Sequence, residues 1–287
     1  MNSEITQNPD VSCVFDWYQA TTKVGIDEFQ DTFADVYDYA DWRTTKATNN
    51  YHHGAQLVSC DRVVLTALWG GPNGSNVHTF ATGFEARKFS SVLRERLPSH
   101  MVTRADGALD FIEADAWDNI ERMALHVADK HHIKVQHFGD FHNKLDGRTL
   151  NMGGTSAFVR STIYEKGKQL GENPEWVRVE VKVKPPRLTK QEFAKGHEEP
   201  RIIASRLKPI ELFGCARWTN SLLETTTGLI APSLPLRTWA KTDAEKAVAS
   251  MLKQYKNVFA YLLELHGSPS AVGAQLYQYL KENSERK

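Results

Sequence analysis

The sequence is short of cysteine, of net charge and of long apolar runs. Its three cysteines, Cys13, Cys60 and Cys215, are widely spaced and form no CxxC pair, so we expect no zinc site or disulfide framework and favour a reducing compartment. The 35 basic and 35 acidic residues cancel, which excludes a polycationic nucleic-acid binder of the histone kind. No basic and apolar leader is present and no apolar stretch reaches about 18 residues, so we expect a cytoplasmic protein without membrane contact.

Motifs of two common enzyme classes are also absent. The glycine cluster at residues 70–74 lacks the Lys and Ser/Thr of a P-loop and the strand-to-helix setting of a dinucleotide site, so it predicts a hairpin turn. The eleven histidines include no HExxH motif and no pair two residues apart on a strand, which favours loop or surface histidines over a metal site.

The apolar content is sufficient for a large core, since 41% of the 287 residues are hydrophobic. Strands are predicted at 13–20, 57–69, 77–84, 101–113 and 147–164, and the clearest strand pattern lies at 175–184, where Val alternates with charged residues. Helices are predicted at 26–39, 85–97, 115–132 and over most of 190–287, with a break at residues 267–269. We expect an α+β fold with a largely antiparallel sheet and flanking helices, either as one body or as two related α+β halves, and a helical C-terminal tail.

Charge is distributed unevenly along the chain. Residues 1–50 carry a net charge of −6, whereas residues 151–210 carry +5. We place a loose domain boundary near residue 200, between an α+β domain of residues 1–200 and a helical region of residues 201–287. An anionic partner is expected to bind in the third quarter of the chain.

The first cluster with chemical potential lies in residues 103–110. On a strand, Arg104, Asp106, Ala108 and Asp110 share one face. Carboxylates are the ligands that Mg²⁺ and Mn²⁺ prefer, usually one or two of them with water and phosphate. These residues alone are equally typical of an ordinary charged sheet edge and of a metal site. In the metal site, one aspartate binds the metal and the other pairs with Arg104 or with a helix terminus.

The second cluster surrounds a tyrosine at the end of a predicted strand. Tyr164 shares a strand face with Arg160 and Thr162 and stands beside Lys166. A tyrosine among cations can act as a nucleophile in phosphoryl transfer, because the cations hold the phosphate and favour the phenolate. A strand tyrosine is more often a packing residue, so the residues alone leave both interpretations open. The next strand presents further charged side chains on one face: Arg178, Glu180, Lys182 and Lys184.

Four blocks, in their order and spacing over roughly residues 13–185, resemble the replication initiation factor family, the rolling-circle initiators of filamentous phages, certain Gram-positive plasmids and related conjugative elements. Residues 15–17 (FDW) are similar to the family's opening DW strand, and residues 103–111 (TRADGALDF) to its TRxDxAxD block. Residues 147–154 (GRTLNMGG) resemble GxTLYxG, and RSTIYEKG with RVEVKVK resembles RxYxKG and RxELR. One departure is that Arg160 stands four residues before Tyr164, where many relatives have an arginine two residues before the tyrosine.

The resemblance implies a site-specific nick at a replication origin. Tyr164 would attack a phosphodiester and become linked to the 5′ phosphate, and Lys166 would be a cation on the phosphate side. A divalent metal, Mg²⁺ or Mn²⁺, would be held by Asp106, Asp110 and Glu180. Glu180 is the weakest of the three ligand candidates, because a symmetric hairpin across residues 165–174 leaves it several residues from Tyr164. Transesterification conserves the phosphodiester energy, so the strand can be rejoined without ATP.

The implied partner is origin DNA, single-stranded or extruded, and a host helicase is a further candidate, while the oligomeric state is left open. We expect the DNA backbone to follow the cationic side chains of the third quarter: Arg160, Arg178, Lys182, Lys184, Arg187 and Lys190. Two alternatives stay open. One is a non-catalytic phage or plasmid DNA-binding regulator that keeps the fold, against which the retained tyrosine and carboxylates argue; the other is a mobilisation relaxase with the same chemistry.

Overall fold

The computed structural model describes residues 12–71, 74–143, 145–194, 196–234 and 250–284. The chain divides into two compact units, residues 1–238 and 239–287, and each is described by itself. In the described residues of the first unit, ten strands form one antiparallel sheet. The strands are β1 (Cys13–Thr21), β2 (Ala40–Thr44), β3 (His53–Ser59), β4 (Arg62–Trp69), β5 (His78–Thr82), β6 (Met101–Ile112), β7 (Val135–Phe138), β8 (Thr149–Met152), β9 (Val159–Glu165) and β10 (Trp176–Val183).

The helices of the first unit are α1 (Ile26–Thr32), α2 (Phe84–Arg96), α3 (Ala116–His131), α4 (Lys166–Leu170), α5 (Lys190–Ala194), α6 (Pro200–Ser205), the 3-10 helix Pro209–Cys215 and α7 (Arg217–Thr227). The second unit contains α8 (Lys256–His266) and α9 (Pro269–Ser284). The predicted α+β class with a largely antiparallel sheet is confirmed. Residues 1–11, and residues 244–249 of the predicted C-terminal helix, lie outside the described residues.

The sheet consists of two halves with the same internal order. Its strand order is β2-β3-β4-β5-β1-β6-β10-β9-β8-β7. In each half, the strand that comes first in the chain pairs with the strand that comes last, and the remaining strands follow outward in reverse chain order. β1 therefore corresponds to β6, and β5 corresponds to β10. The halves join through the antiparallel β1–β6 pair. The strand order therefore fits the option of two related α+β halves in one continuous sheet.

The core lies on one face of this sheet, between the strands and the helices. Tyr18 of β1 packs edge-on against Phe89 of α2 in the first half. In the second half, a Cβ on Gly107 would lie 2.5 Å from the Pro209 carbonyl oxygen, so the 3-10 helix approaches β6 closely at a position that requires glycine. The alternating valines of β10, residues 177, 179, 181 and 183, are fully buried. The charged residues that alternate with them therefore lie on the opposite face, which we call the open face.

Several elements differ from the sequence-based expectation. The apolar run 57–69 is two strands, because Cys60 and Asp61 adopt positive φ (48° and 60°) and turn the chain between β3 and β4. The helix predicted at 26–39 ends at Thr32. The polar connection after Tyr164 contains α4, and the loop after α3 contains β7. The hairpin turn predicted at the glycine cluster is confirmed by the antiparallel β4–β5 pair, although Pro72 and Asn73 lie outside the described residues.

The predicted boundary near residue 200 stays a prediction. Helix α6 and the 3-10 helix contact β6, and α7 contacts α3, all within the first unit. In the second unit, α8 ends at His266 and is capped by Gly267, whose φ is 70°. The break predicted at residues 267–269 is confirmed at Gly267 and Ser268, and Pro269 is the first residue of α9. None of the described helices is long and apolar enough to cross a membrane.

Candidate functional site

The open face of the second half brings the predicted tyrosine and charged residues together. Arg178 of β10 lies opposite Tyr164 of β9 on one side and Asp110 of β6 on the other. Lys182 lies in the same way between Arg160 and Asp106. Residues opposite each other in antiparallel strands place their side chains on the same face, a few ångströms apart. The two clusters identified in the sequence therefore form one site.

Tyr164 and Glu180 form the contact at the centre of this site. The Tyr164 hydroxyl donates a hydrogen bond of 2.6 Å to Oε1 of Glu180. The expectation that Glu180 lies several residues from Tyr164 was wrong. Glu180 is directly opposite Thr162, but it is the diagonal neighbour of Tyr164, and two long side chains span that distance.

Burial and charge change the acidity of both groups. Burial, together with the carboxylates of Asp16 and Asp106, raises the pKa of Glu180 to about 7, although the Tyr164 hydrogen bond opposes this shift. Burial and the neighbouring Glu180 carboxylate raise the pKa of Tyr164 well above its usual value. At neutral pH the pair therefore consists of a protonated phenol and a carboxyl group that is near its midpoint and accepts the phenol's hydrogen bond.

Arg178 organises two carboxylates rather than facing solvent. Its Nε and Nη2 each lie 2.7 Å from an oxygen of Asp110, and its Nη1 donates to Asp16. Trp176 Nε1 also donates to Asp110 at 2.7 Å. Arg178 is only 6% exposed. Its guanidinium is thus engaged by protein carboxylates, which differs from the free DNA-binding cation that the sequence suggested.

Asp16 is a member of the site that sequence reasoning missed. The β1–β6 register shifts between Phe15 and Trp17, so Asp16 is an extra residue in β1. Such a bulge turns a side chain away from regular alternation, and here both Asp16 and Trp17 contact residues of the open face. The DW block contained a signal for this bulge. Regular strand alternation would place the Asp16 side chain on the core side, which indicates that the alternation is broken there.

Asp106 is held in a second ion pair on the same face. Nε of Arg104 donates to it at 3.0 Å, Nη2 of Arg104 contacts its other oxygen, and Lys182 Nζ lies 3.9 Å away. Asp106 is 1% exposed, and this burial raises its pKa although Arg104 opposes the shift. Burial also lowers the pKa of Lys182. The arginine that the sequence analysis considered as a partner for one aspartate is therefore bonded to Asp106.

The remaining predicted cations lie at different distances from the tyrosine. Lys166 Nζ is 5.5 Å from the centroid of the Tyr164 ring and 3.1 Å from Gln169 Oε1. Arg160 is partly buried, and its Nε has no hydrogen-bond partner among the described residues. Lys184 and Arg187 are exposed at and beyond the end of β10, and Lys190 lines a separate cavity with Lys23 and His197. Lys166 is thus the cation beside the Tyr164 ring, whereas Arg160 lies opposite Lys182, roughly 13 Å along the strand from Tyr164.

The strand that carries Tyr164 is anchored from the core side by a buried ion pair. Glu165, 3% exposed, accepts from Nη2 of Arg148 at 2.8 Å and from the backbone N–H of Arg148 at 2.7 Å. Lys168 lies 3.1 Å from the same carboxylate. At Gly167 a Cβ would collide with the Asn173 carbonyl oxygen at 1.6 Å, so the chain after Tyr164 is tightly packed. These contacts fix the position of the tyrosine, and no pattern in the sequence indicated Arg148 or Glu165.

The three carboxylates predicted as metal ligands do not form one ligand set. Asp106 accepts from Arg104, Asp110 from Arg178 and Trp176, and Glu180 from Tyr164. In the part of the chain that the structure describes, no group of three or more His, Cys, Asp or Glu side chains could hold a metal ion. The oxygen donors suit a hard cation chemically, but their arrangement does not fit a preformed metal site.

The fold is similar to that of a rolling circle replication initiator protein from Geobacillus stearothermophilus. The structures match with a TM-score of 0.51 at 17% sequence identity, over 78% of this chain and 98% of that chain. No family model and no curated protein sequence matches the chain. At this identity the likeness shows a shared fold, which confirms at that level the resemblance drawn from the four sequence blocks.

Proposed function

We propose that the chain is an initiator of rolling-circle DNA replication that nicks one strand at an origin through Tyr164. The fold shared with a rolling circle replication initiator supports the general function. The observation that supports the chemistry is the 2.6 Å hydrogen bond from the Tyr164 hydroxyl to Glu180, on a sheet face with several cations. A nucleophile bonded to a base, and the base surrounded by orienting groups, is the arrangement that covalent catalysis requires.

In the proposed reaction, Tyr164 Oη attacks the phosphorus of a phosphodiester. A bond forms between phosphorus and the phenol oxygen, and the bond to the 3′ oxygen breaks. Glu180 takes the phenol proton, because its pKa of about 7 lies near neutral pH, where a general base is most effective. The 3′ oxygen leaves with the bonding electrons and is protonated by solvent. The reverse reaction rejoins the strand without ATP.

The cations divide into two roles in this proposal. Lys166 binds the phosphate beside Tyr164, because a trigonal bipyramidal phosphate carries its charge on the non-bridging oxygens. Arg160 and Lys182, which lie opposite each other four residues along the strands, bind an adjacent phosphate of the same DNA strand. Arg178 is a positioning residue that holds Asp110 and Asp16. The exposed cations farther along the chain, Lys184, Arg187 and Lys190, bind the DNA backbone away from the reacting phosphate. Origin DNA is the partner, and a host helicase stays a prediction.

Metal dependence, which the sequence resemblance implies, stays a prediction without a step assigned to it. A cation at this site would share carboxylates that already accept hydrogen bonds, Glu180 from Tyr164 and Asp106 from Arg104. Nicking assayed with Mg²⁺, with Mn²⁺ and with excess EDTA tests this requirement. Equal nicking in EDTA and in Mn²⁺ would remove the metal from the proposal and leave the tyrosine chemistry unaffected.

The test of the proposal is incubation of the full chain with the element's own single-stranded origin DNA and Mn²⁺, followed by a denaturing gel. We expect a covalent protein–DNA adduct with the wild type and none with Tyr164→Phe, which removes only the attacking oxygen. Tyr261→Phe, at an exposed tyrosine of the second unit, is the matched control and should form the adduct. Adduct formation by Tyr164→Phe would overturn the proposal.

A further inference from the structure

The open face continues from the second half of the sheet into the first, where its chemistry changes. Trp17 of β1 and Phe80 of β5 are partly exposed and stack on each other, with ring centroids 5.6 Å apart and an interplanar angle of 8°. The Arg104 guanidinium lies 3.9 Å above the Trp17 ring centroid, and Arg104 is the partner of Asp106. Phe80, Trp17 and the Arg104 guanidinium therefore form a continuous stack that leads from β5 to the charged site.

Hydrogen-bonding groups without formal charge surround this ring pair. Trp17 Nε1 donates to Gln19 Oε1 at 3.1 Å, and Gln19 Nε2 lies 3.0 Å from Nε2 of His78. Burial lowers the pKa of His78 to about 4, so its ring is neutral at pH 7. His78 is only 7% exposed and Tyr51 stacks on its ring, so His78 orients Gln19 and does not face a ligand. We call Trp17, Gln19 and Phe80 the aromatic strip. Uncharged rings and amides suit nucleobases, which stack and hydrogen-bond, better than they suit phosphates.

The packing of the sheet leaves the aromatic strip on the side away from the helices. Tyr18, the residue between Trp17 and Gln19, packs against Phe89 of α2, so α2 covers the opposite face of β1. The strip and Tyr164 lie on the same face, because Trp17 is directly opposite Asp106 and Asp106 is directly opposite Lys182. Across the sheet, β5 and β9 are four strand spacings apart, or roughly 19 Å. Along the strands, Phe80 is level with Arg104 and Tyr164 is level with Asp110, six residues or roughly 20 Å farther on. Several nucleotides of one extended strand can span the combined distance of about 28 Å.

We propose that the aromatic strip binds the bases of the same single DNA strand whose phosphate lies at Tyr164, with Phe80 as the stacking platform. This inference rests on the proposed function for the identity of the strand. Unpaired bases expose their faces and duplex bases do not, so the ligand is single-stranded DNA. The cations of the second half then bind the backbone, and the uncharged aromatic strip binds bases. Continuity of the open face with the nicking site and the change in charge along it both support this occupant.

The test measures equilibrium binding, not nicking, in the full chain carrying Tyr164→Phe so that no DNA is cleaved. The probes are a fluorescent oligonucleotide of about 12 nucleotides of the origin strand, within the usual site size, and an abasic strand of the same length. Phe80→Leu keeps an apolar side chain and removes the aromatic face. Phe84→Leu, at the start of α2, is the matched control at a phenylalanine that is 73% exposed.

We expect Phe80→Leu to weaken binding of the oligonucleotide by at least about 5-fold, the low end of the range for loss of one stacked base. Binding of the abasic strand should stay the same, and Phe80→Tyr should recover most of the affinity. Unchanged affinity of Phe80→Leu for the oligonucleotide, or an equal loss for the abasic strand, would overturn the inference. Either result leaves the adduct test of Tyr164 standing, and a failed adduct test does not alter the outcome of this one.

Discussion

The two halves of the sheet have the same strand order, but their open faces differ in chemistry. In the first half, the neighbouring strands β1 and β5 present the uncharged side chains Trp17, Gln19, His78 and Phe80, although charged residues are also present there, Asp16 in the β1 bulge and Arg43 in β2. On the open face of the second half lie a tyrosine, three acidic residues and several cations. The helix side is mostly apolar in both halves, with the buried Arg148–Glu165 ion pair as an exception in the second half. The fold therefore depends on the covered face, which leaves the open face free to acquire a separate task in each half.

The largest expected difference between the halves concerns catalysis. Glu180→Gln should lower the rate of nicking by roughly 10²–10⁴-fold, because the phenol loses its proton acceptor. Thr82→Val, on the exposed open face of β5, should nick at the wild-type rate. The measurement is single-turnover cleavage of origin single strands at saturating protein. Equal nicking rates for Glu180→Gln and Thr82→Val would show that Glu180 of the second half contributes no more to catalysis than Thr82 of the first half.

The second-largest expected difference concerns stability, because a buried ion pair of the second half should stabilise the fold more than an exposed ion pair of the first half. Arg148→Met leaves Glu165 buried with Lys168 as its remaining cation, and we expect a loss of about 3 kcal/mol in the free energy of unfolding. Arg96→Met breaks the solvent-exposed Arg96–Asp35 pair of the first half and should have little effect. Urea unfolding of both variants measures the difference. A similar small effect in both would mean that the buried pair does not anchor the Tyr164 strand.

A smaller effect is expected from His78, the neutral histidine of the first half, on the pH dependence of the unfolding free energy. Burial holds the pKa of His78 at about 4, below the ordinary 6.5, so the unfolded chain binds more protons between these values. The stability that this group contributes is fully present above pH 6.5 and is lost as the pH falls towards 4. In His78→Gln, the loss of unfolding free energy between pH 7 and pH 5 should be smaller than in the wild type by about 1–2 kcal/mol. An identical loss in both proteins would contradict the buried, neutral state of His78.

The smallest expected effect concerns the DNA backbone in the second half. Replacing Lys182 and Lys184 by Ala should weaken binding to all sequences alike and reduce the salt slope by roughly 0.7–0.9 for each phosphate that the variant no longer neutralises. The preference for origin sequence should remain, because backbone contacts do not distinguish bases. Binding of origin and scrambled oligonucleotides across a salt series measures this. An unchanged slope would mean that β10 does not contact the DNA backbone.

Regular alternation made much of the second half predictable. Four valines at every second position indicated β10, and the TRADGALDF block indicated the face of β6 that carries Asp106 and Asp110. The short strands β2 and β7 were missed, because five and four residues are too few to establish a period. The turn at Cys60 and Asp61 was missed because neither residue is a glycine, although both adopt positive φ.

The site was predictable in its residue types and not in its partners. Sequence alternation identified Tyr164 and the cations of β10, but it could not show that Arg178 is bonded to Asp110 and Asp16. The β1 bulge at Asp16 breaks the alternation on which the prediction depends. The contact between Tyr164 and Glu180 depends on the diagonal reach of two side chains, which the register of a hairpin alone does not give.

The central claim, that the second half is the nicking half and Tyr164 its nucleophile, is tested most directly by mapping the covalent adduct. Wild-type protein would be incubated with single-stranded origin DNA, digested with a protease and a nuclease, and analysed by mass spectrometry. We predict a nucleotide linked through its 5′ phosphate to the peptide that contains Tyr164. A nucleotide linked to Tyr51 of the first half or to any other tyrosine, or nicked DNA with a free 5′ phosphate and no protein attached, would contradict the account.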